Sequence, residues 1–441
     1  MATTNPIANI TNINKTENSI NNSSNSIIKN NSKPINASGP GNGSSGNGPP
    51  PAGSPTKKIS NENKNTIQKA ISNSNNNNNN AIKESKQGGP NNNIKTTGQE
   101  SIEQGQVITS NYLLFLAISI VIVICIVIYI FSQSFRVSRA ISNMESYQNY
   151  QRLSSLNYSK FGGLRLGDMY ISSSYNSAHC GYQMYDYTSE KIVLAVLQSG
   201  ARYLEFNVFN SEFGENAYPV VSMGYKKGEW KMMVTDTPLE SIFQIIVDNA
   251  FMLSDGVNGV SNPEDPLFLG LNLNTNSNLN CLNLISFLIT KFFGNKLLPN
   301  QYSYQNSDLI ADIRLSQVSG KVVIFASDGF QGCGLEEIVN YSWDNINNNP
   351  NHSLQRIHYS TLLAPDFDGN KLIKFNKKGL TIVVPHLEGD FLNTNYDTTI
   401  AMELGCQFIA MEFQYINYYM DSYITLFKNV SLIQKDDNLV A

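Results

Sequence analysis

The chain has 441 residues, a formal net charge of −4 and a sequence pI near 5.7. That slightly acidic balance excludes a nucleic-acid binder, whose phosphate contacts demand a distinctly basic surface. All 22 Tyr, 21 Phe and 2 Trp lie beyond residue 111, so the first quarter of the chain cannot bury enough apolar surface to offset its ordering entropy.

Residues 1–110 therefore read as a disordered Asn/Ser/Gly/Pro-rich tail. It holds 26 Asn, including the run Asn75 to Asn80, and a Gly/Pro/Ser block from Gly39 to Pro55. Its start, Met1-Ala2-Thr3-Thr4-Asn5, has neither a basic nor an apolar segment, so no cleavable signal peptide is expected. Residues 111–132 follow as a transmembrane helix. Positions 112–131 are uncharged and rich in Ile and Val, matching the ~20 residues that cross a hydrocarbon core. Tyr112 and Tyr129 stand near the ends of the run, where amphipathic rings anchor at the interface. Lys95 precedes the span and Arg136 and Arg139 follow it, a slight lean to a cytoplasmic C-terminal domain. The sequons beginning at Asn157 and Asn340 lean the other way, so the side stays open, and a viral or a host membrane both fit. Residues 133–164 read as a polar connector.

From 165 to 436 the composition is globular. Apolar runs at 204–209, 219–223, 267–273, 322–326, 380–384, 408–413 and 431–433 read as strands. Helical patterns at 191–198, 239–251 and 282–293 fall between them. Continuous apolar strands alternating with helices imply a parallel sheet covered on both faces. Seven or eight strands over this length predict an α/β fold of the (β/α)₈ TIM-barrel type, with chemistry at the C-terminal strand ends. Cys125 falls in the span, while Cys180, Cys281, Cys333 and Cys406 share no C-x-x-C spacing. Neither a zinc site nor a redox pair is indicated.

Several segments carry a family likeness. Ile171-Ser-Ser-Ser-Tyr-Asn-Ser177 precedes Gly200-Ala-Arg-Tyr-Leu-Glu-Phe-Asn207. Pro219-Val-Val-Ser-Met-Gly224, Asp265-Pro-Leu-Phe-Leu-Gly-Leu-Asn272 and Gly320-Lys-Val-Val-Ile324 come next. Asn393-Thr-Asn-Tyr396 and Gly405-Cys-Gln-Phe-Ile-Ala-Met-Glu-Phe-Gln414 close the series. In this order they resemble the X/Y catalytic domain of phosphoinositide-specific phospholipase C, a phosphodiesterase superfamily, over about 165–435.

The resemblance implies an inositol-phospholipid hydrolase that uses two histidines and a Ca²⁺ ion. This chain departs from it at the reacting positions. Tyr175 and Met223 stand where the two histidines belong, and neither is a useful base near neutral pH. His179 is a candidate substitute on the loop after Tyr175, and His386 with Glu388 a relocated acid–base pair. The implied metal ligands are Asn176, Glu205, Asn207 and Asn272, with one carboxylate remaining, so a weak Ca²⁺ site at best and no other cofactor is expected. Phe325 replaces an implied lysine, and Asp390 an implied phosphate-binding arginine. Thr394, Asn395 and Tyr396 are the implied headgroup contacts. The leading reading is thus a single-pass, phospholipase-C-like pseudoenzyme acting as a binding or scaffold barrel, with a phospholipid headgroup as its ligand class. A divergent phosphoric diester hydrolase is the alternative. A third reading has an inert barrel whose tail recruits partners; no protein partner is identified by the sequence.

Overall fold

The structure is a computed structural model that describes residues 97–148, 151–182, 184–211, 217–225, 230–231, 233–304, 310–343, 353–385 and 395–441. The tail up to residue 96 lies outside these, as do His386, Glu388, Asp390 and Thr394.

Eight strands form the staves of a barrel: β1 Met169–Ser174, β2 Tyr203–Asn210, β3 Leu267–Asn274, β4 Val322–Ala326, β5 Tyr341–Ser342, β6 Leu354–His358, β7 Leu380–Val384 and β8 Phe408–Met411. They pair in parallel in the order β6-β7-β8-β1-β2-β3-β4-β5. A sheet that runs in sequence order and returns towards its first strand is a nearly closed (β/α)₈ barrel, as expected. Helices cover its outside, among them α2 Glu190–Gln198, α3 Leu239–Asn249, α4 Leu279–Phe293, α5 Gly369–Asn376 and α6 Tyr418–Leu426. Side-chain caps start four of them: Ser189, Asn278, Asp368 and Asn417 each accept from a first-turn backbone N–H.

Strand alternation sorts the side chains. On β2, Leu204, Phe206 and Val208 pack outward against the helices, while Tyr203, Glu205 and Asn207 point into the barrel. The interior below the mouth is an aromatic plug. Phe325 lies 5.4 Å from Phe408 and 5.8 Å from both Phe268 and Tyr341, ring centre to ring centre, and Tyr203 lies 5.3 Å from Phe408.

Two apolar runs read as strands are not staves. Pro219–Val221 pairs antiparallel with the end of β2, and Leu432–Gln434 antiparallel with the start of β1. Apolar content reports burial, not direction. Conversely β1, Met-Tyr-Ile-Ser-Ser-Ser, is fully buried although half of it is serine. Its Ser173 Oγ donates to the Ile171 carbonyl at 2.6 Å, and the Ser173 N–H donates to the Tyr423 hydroxyl at 2.8 Å.

The stretch expected as a polar connector is helical as far as Gln148. A single helix, α1 Thr97–Gln148, carries the apolar segment and continues onto the barrel. It contains the one span among the described residues long and apolar enough to cross a membrane, and the side chains of 112–131 are exposed. Beyond it Val137, Ala140, Ile141, Met144 and Tyr147 recur at helical spacing and pack into the core. Ala140, Met144 and Tyr147 are fully buried, and Asn143 Nδ2 donates to the Gln414 carbonyl at 2.9 Å.

Candidate functional site

The C-terminal ends of β1, β2, β3 and β6 bring together Tyr175, Asn176, Glu205, Asn207, Asn272 and Arg356. Met223, just past the Pro219–Val221 strand, closes the group. Six of these seven, all but Arg356, are site positions named from the sequence, and the register of β2 against β3 sets the spacing of Glu205, Asn207 and Asn272. Asn207 sits opposite Asn272, and Glu205 opposite Gly270.

Three amides are bonded in a chain. Asn272 Nδ2 donates to Asn207 Oδ1 at 2.7 Å, and Asn207 Nδ2 donates to Asn176 Oδ1 at 2.8 Å and to Met223 Sδ at 3.1 Å. Asn176 holds a left-handed φ of 46°, a conformation Asn tolerates better than most residues. Oxygens that accept from a neighbouring amide already face a partial positive charge.

Glu205 is fully buried, and both its oxygens are engaged. The Tyr203 hydroxyl donates to Oε2 at 2.8 Å, and Arg356 donates Nη2 to Oε1 at 2.7 Å and Nε to Oε2 at 3.3 Å. This forked pairing is the strong form of an arginine–carboxylate contact. Burial alone would lower the affinity of Arg356 for its proton, but the Glu205 carboxylate reverses that and holds the guanidinium charged. The guanidinium carbon also lies 6.0 Å from the Tyr175 ring centre and 5.9 Å from that of Trp343. Among the described residues no three His, Cys, Asp or Glu side chains are grouped to hold a metal ion.

Tyr175 is buried, and that burial pushes its hydroxyl well above the ordinary phenol range; Glu205 and Glu412 add to the shift and Arg356 opposes it. At neutral pH it is therefore a protonated phenol. Phe325, at the implied lysine position, is the centre of the aromatic plug. Tyr396 is buried, its hydroxyl donating to the Val383 carbonyl at 3.0 Å and its ring stacked on Tyr359 at 4.3 Å. Asn395 bridges to the Glu412 and Tyr415 carbonyls, both at 2.9 Å. Other motif residues are structural as well. Gln407 donates to the Gly167, Asn376 and Gly379 carbonyls and accepts from the Thr381 N–H. Buried Arg202 caps the end of α3 by donating to the Ala250 carbonyl at 2.9 Å.

His179 is buried, not a surface residue, and burial lowers its pKa to about 4 against the opposing charge of Asp186. The unfolded chain takes up a proton near the ordinary 6.5 that the folded imidazole refuses until about 4. Stability should therefore fall by up to about 3 kcal/mol as pH drops through that window, and level off below it. Urea unfolding at pH 7 and pH 4.5 checks this. His179→Gln should show a smaller acid loss than the parent protein, and an equal loss would contradict it.

Sequence reasoning missed Arg356 and His358, both on the inward face of β6 with Leu354. The alternation Leu-Gln-Arg-Ile-His was the available signal. The His358 ring Nδ1 lies 3.1 Å from the Pro385 carbonyl.

The description "phosphatidylinositol-specific phospholipase C, X domain" matches residues 164–328, which hold β1 to β4. The structure is similar to that of S. officinalis PLC21, with a TM-score of 0.53 and 18% identity over 64% of this chain and 38% of that one. It is similarly close to L. pealei PLC21, at 0.52 and 18% over 65% and 39%. The chain thus covers about two-fifths of the length of these solved structures, and at such identity the likeness is one of fold. No curated protein matches the chain.

Proposed function

The barrel is a phosphoinositide phospholipase C-like domain of the phosphodiesterase superfamily, and from that premise we propose that it is a catalytically inert, membrane-anchored binding or scaffold barrel. The observation that carries this reading is the Arg356–Glu205 pair. The only carboxylate left in the implied ligand set is neutralised by the chain's own cation. A Ca²⁺ ion would have to displace a forked guanidinium from Glu205 and break the amide chain at Asn207, for the return of a single carboxylate. These side chains as arranged do not fit the ion.

The acid–base groups point the same way. In-line attack on phosphorus needs a group that takes a proton near neutral pH and a cation to hold the developing charge. Tyr175 and Met223 supply neither. Anchorage rests on the uncharged stretch of α1 at 112–131, long enough to span a bilayer. The ligand class this reading implies is a phospholipid headgroup, the substrate class in the family description that matches residues 164–328.

The metal part of this reading is tested by thermal unfolding of the intact protein with millimolar Ca²⁺ and with chelator. The two midpoints should coincide. A ligand that binds the native state at a hundred times its Kd stabilises by about 2.7 kcal/mol, so a genuine site would shift the midpoint by several degrees. Such a shift, absent in Glu205→Gln, would contradict the proposal.

A divergent phosphodiesterase is favoured by one observation, the inward-facing His358 beside Arg356 at the mouth. It requires turnover with a pH limb near 6–7 that His358→Gln or His386→Gln removes.

A further inference from the structure

We propose that the turn carrying Tyr182, Tyr185 and Tyr187 is seated in the headgroup layer of the bilayer that α1 crosses, held there by α1 as a rigid strut. This rests on the membrane-anchored reading above.

The geometry of one unbroken helix carries it. Phe131 ends the apolar segment and Arg136 is five residues on, about 7.5 Å further along an α-helix. Headgroup regions are about 5–8 Å deep on each side of the hydrocarbon core. At that depth Arg136 pairs with Asp186, Nη2 to Oδ2 at 2.5 Å and Nε to Oδ1 at 3.1 Å. Its guanidinium also lies over the Tyr182 ring at 4.2 Å, and Asp186 Oδ2 accepts the Tyr182 N–H at 2.9 Å. The turn is therefore tied to the helix by a charge pair and a ring contact, while the Tyr182 N–H bond to Asp186 closes the turn on itself.

A second contact lies higher still. The Tyr129 ring, inside the apolar segment, meets the Tyr187 ring edge-on at 6.4 Å. Tyr185 is 72% exposed and Tyr182 37% exposed, and rings with an apolar body and a polar tip suit the interface. Alongside, a cleft of about 710 Å³ between α1 and the barrel is lined by Gln133, Ser134, Val137, Ile141, Thr188 and Thr235, a mixed polar and apolar surface just beyond the span.

The helix cannot swing away from this pose. Ala140, Met144 and Tyr147 are buried in the core, so bending at 132–136 would break a continuous hydrogen-bonded helix. Because the turn follows β1, the barrel's mouth is held towards the lipid.

The test uses the full chain in phosphatidylcholine nanodiscs, with an environment-sensitive fluorophore on one cysteine at a time. Native Cys125 reports the span. In a Cys125→Ser background, Tyr185→Cys reports the turn and Val257→Cys, 74% exposed on the loop after α3, reports the opposite end. The label at 185 should be quenched by shallow spin-labelled lipid and be several-fold less accessible to iodide than the label at 257. If Cys125 is lipid-buried but 185 is as iodide-accessible as 257, the barrel hangs free and the inference fails alone. If Cys125 is itself iodide-accessible, the anchored reading fails and takes the inference with it.

Discussion

Replacing Arg356 by Met is expected to lower the unfolding free energy by about 3–5 kcal/mol, the usual cost of leaving one member of a buried ion pair alone. Glu205 is fully buried, and without the guanidinium its remaining side-chain partner is the Tyr203 hydroxyl. Neutralising both positions should restore most of the loss. Arg356→Met with Glu205→Gln removes the stranded charge, and replacing a whole buried pair is often neutral. Denaturant titration of the four proteins gives the coupling directly. A single variant within about 1 kcal/mol of the parent protein would mean that the pair does not carry the site's electrostatics.

Gly270→Ala is the second large effect. A Cβ at Gly270 would collide with the Tyr203 hydroxyl oxygen and stand 2.8 Å from the adjacent ring carbon. The ring has little room to retreat, being packed 5.3 Å from Phe408 and 6.3 Å from Phe325. The added methyl therefore strains the plug and drives the hydroxyl off Glu205. Overpacking costs about 1–3 kcal/mol and a lost bond to a charged group about 1.5–3, so a loss of roughly 3–5 kcal/mol is expected. Tyr203→Phe alone should lose only the hydrogen-bond part. In combination the two should fall well short of additive, since they break the same contact. Full additivity would show that the methyl acts elsewhere.

The barrel was legible because its outer shell is apolar in long runs: β3, β4, β7 and β8 each announce themselves. β1 was hidden by its serines, and β5 and β6 by brevity and polarity, although Arg356 on β6 decides the charge of the site. The losses at Tyr175, Met223, Asn207, Asn272 and Phe325 were legible from motif spacing. What fills their place was not. Arg356 reaches Glu205 across 151 residues, a contact no local pattern encodes. The chain of amides likewise depends on the register of β2 against β3.

The continuation of α1 was written in Val137, Ala140, Ile141, Met144 and Tyr147, a helical stripe masked by the polar residues between them. It also changes how the flanking charges are read. Arg136, one of two basic residues close behind the span, is committed to Asp186. The motif residues at Arg202, Asn395, Tyr396 and Gln407 all satisfy backbone groups, which ties these parts of the resemblance to the scaffold.

The most direct test is hydrolysis of phosphatidylinositol and its bisphosphate in mixed micelles by the intact protein, with Ca²⁺ and with chelator. The Arg356→Met/Glu205→Gln protein runs alongside as the folded background. An inert barrel predicts one rate throughout, equal to that background. Turnover that requires Ca²⁺ and disappears in the double variant would contradict it, and would make Glu205 a working ligand despite its guanidinium partner.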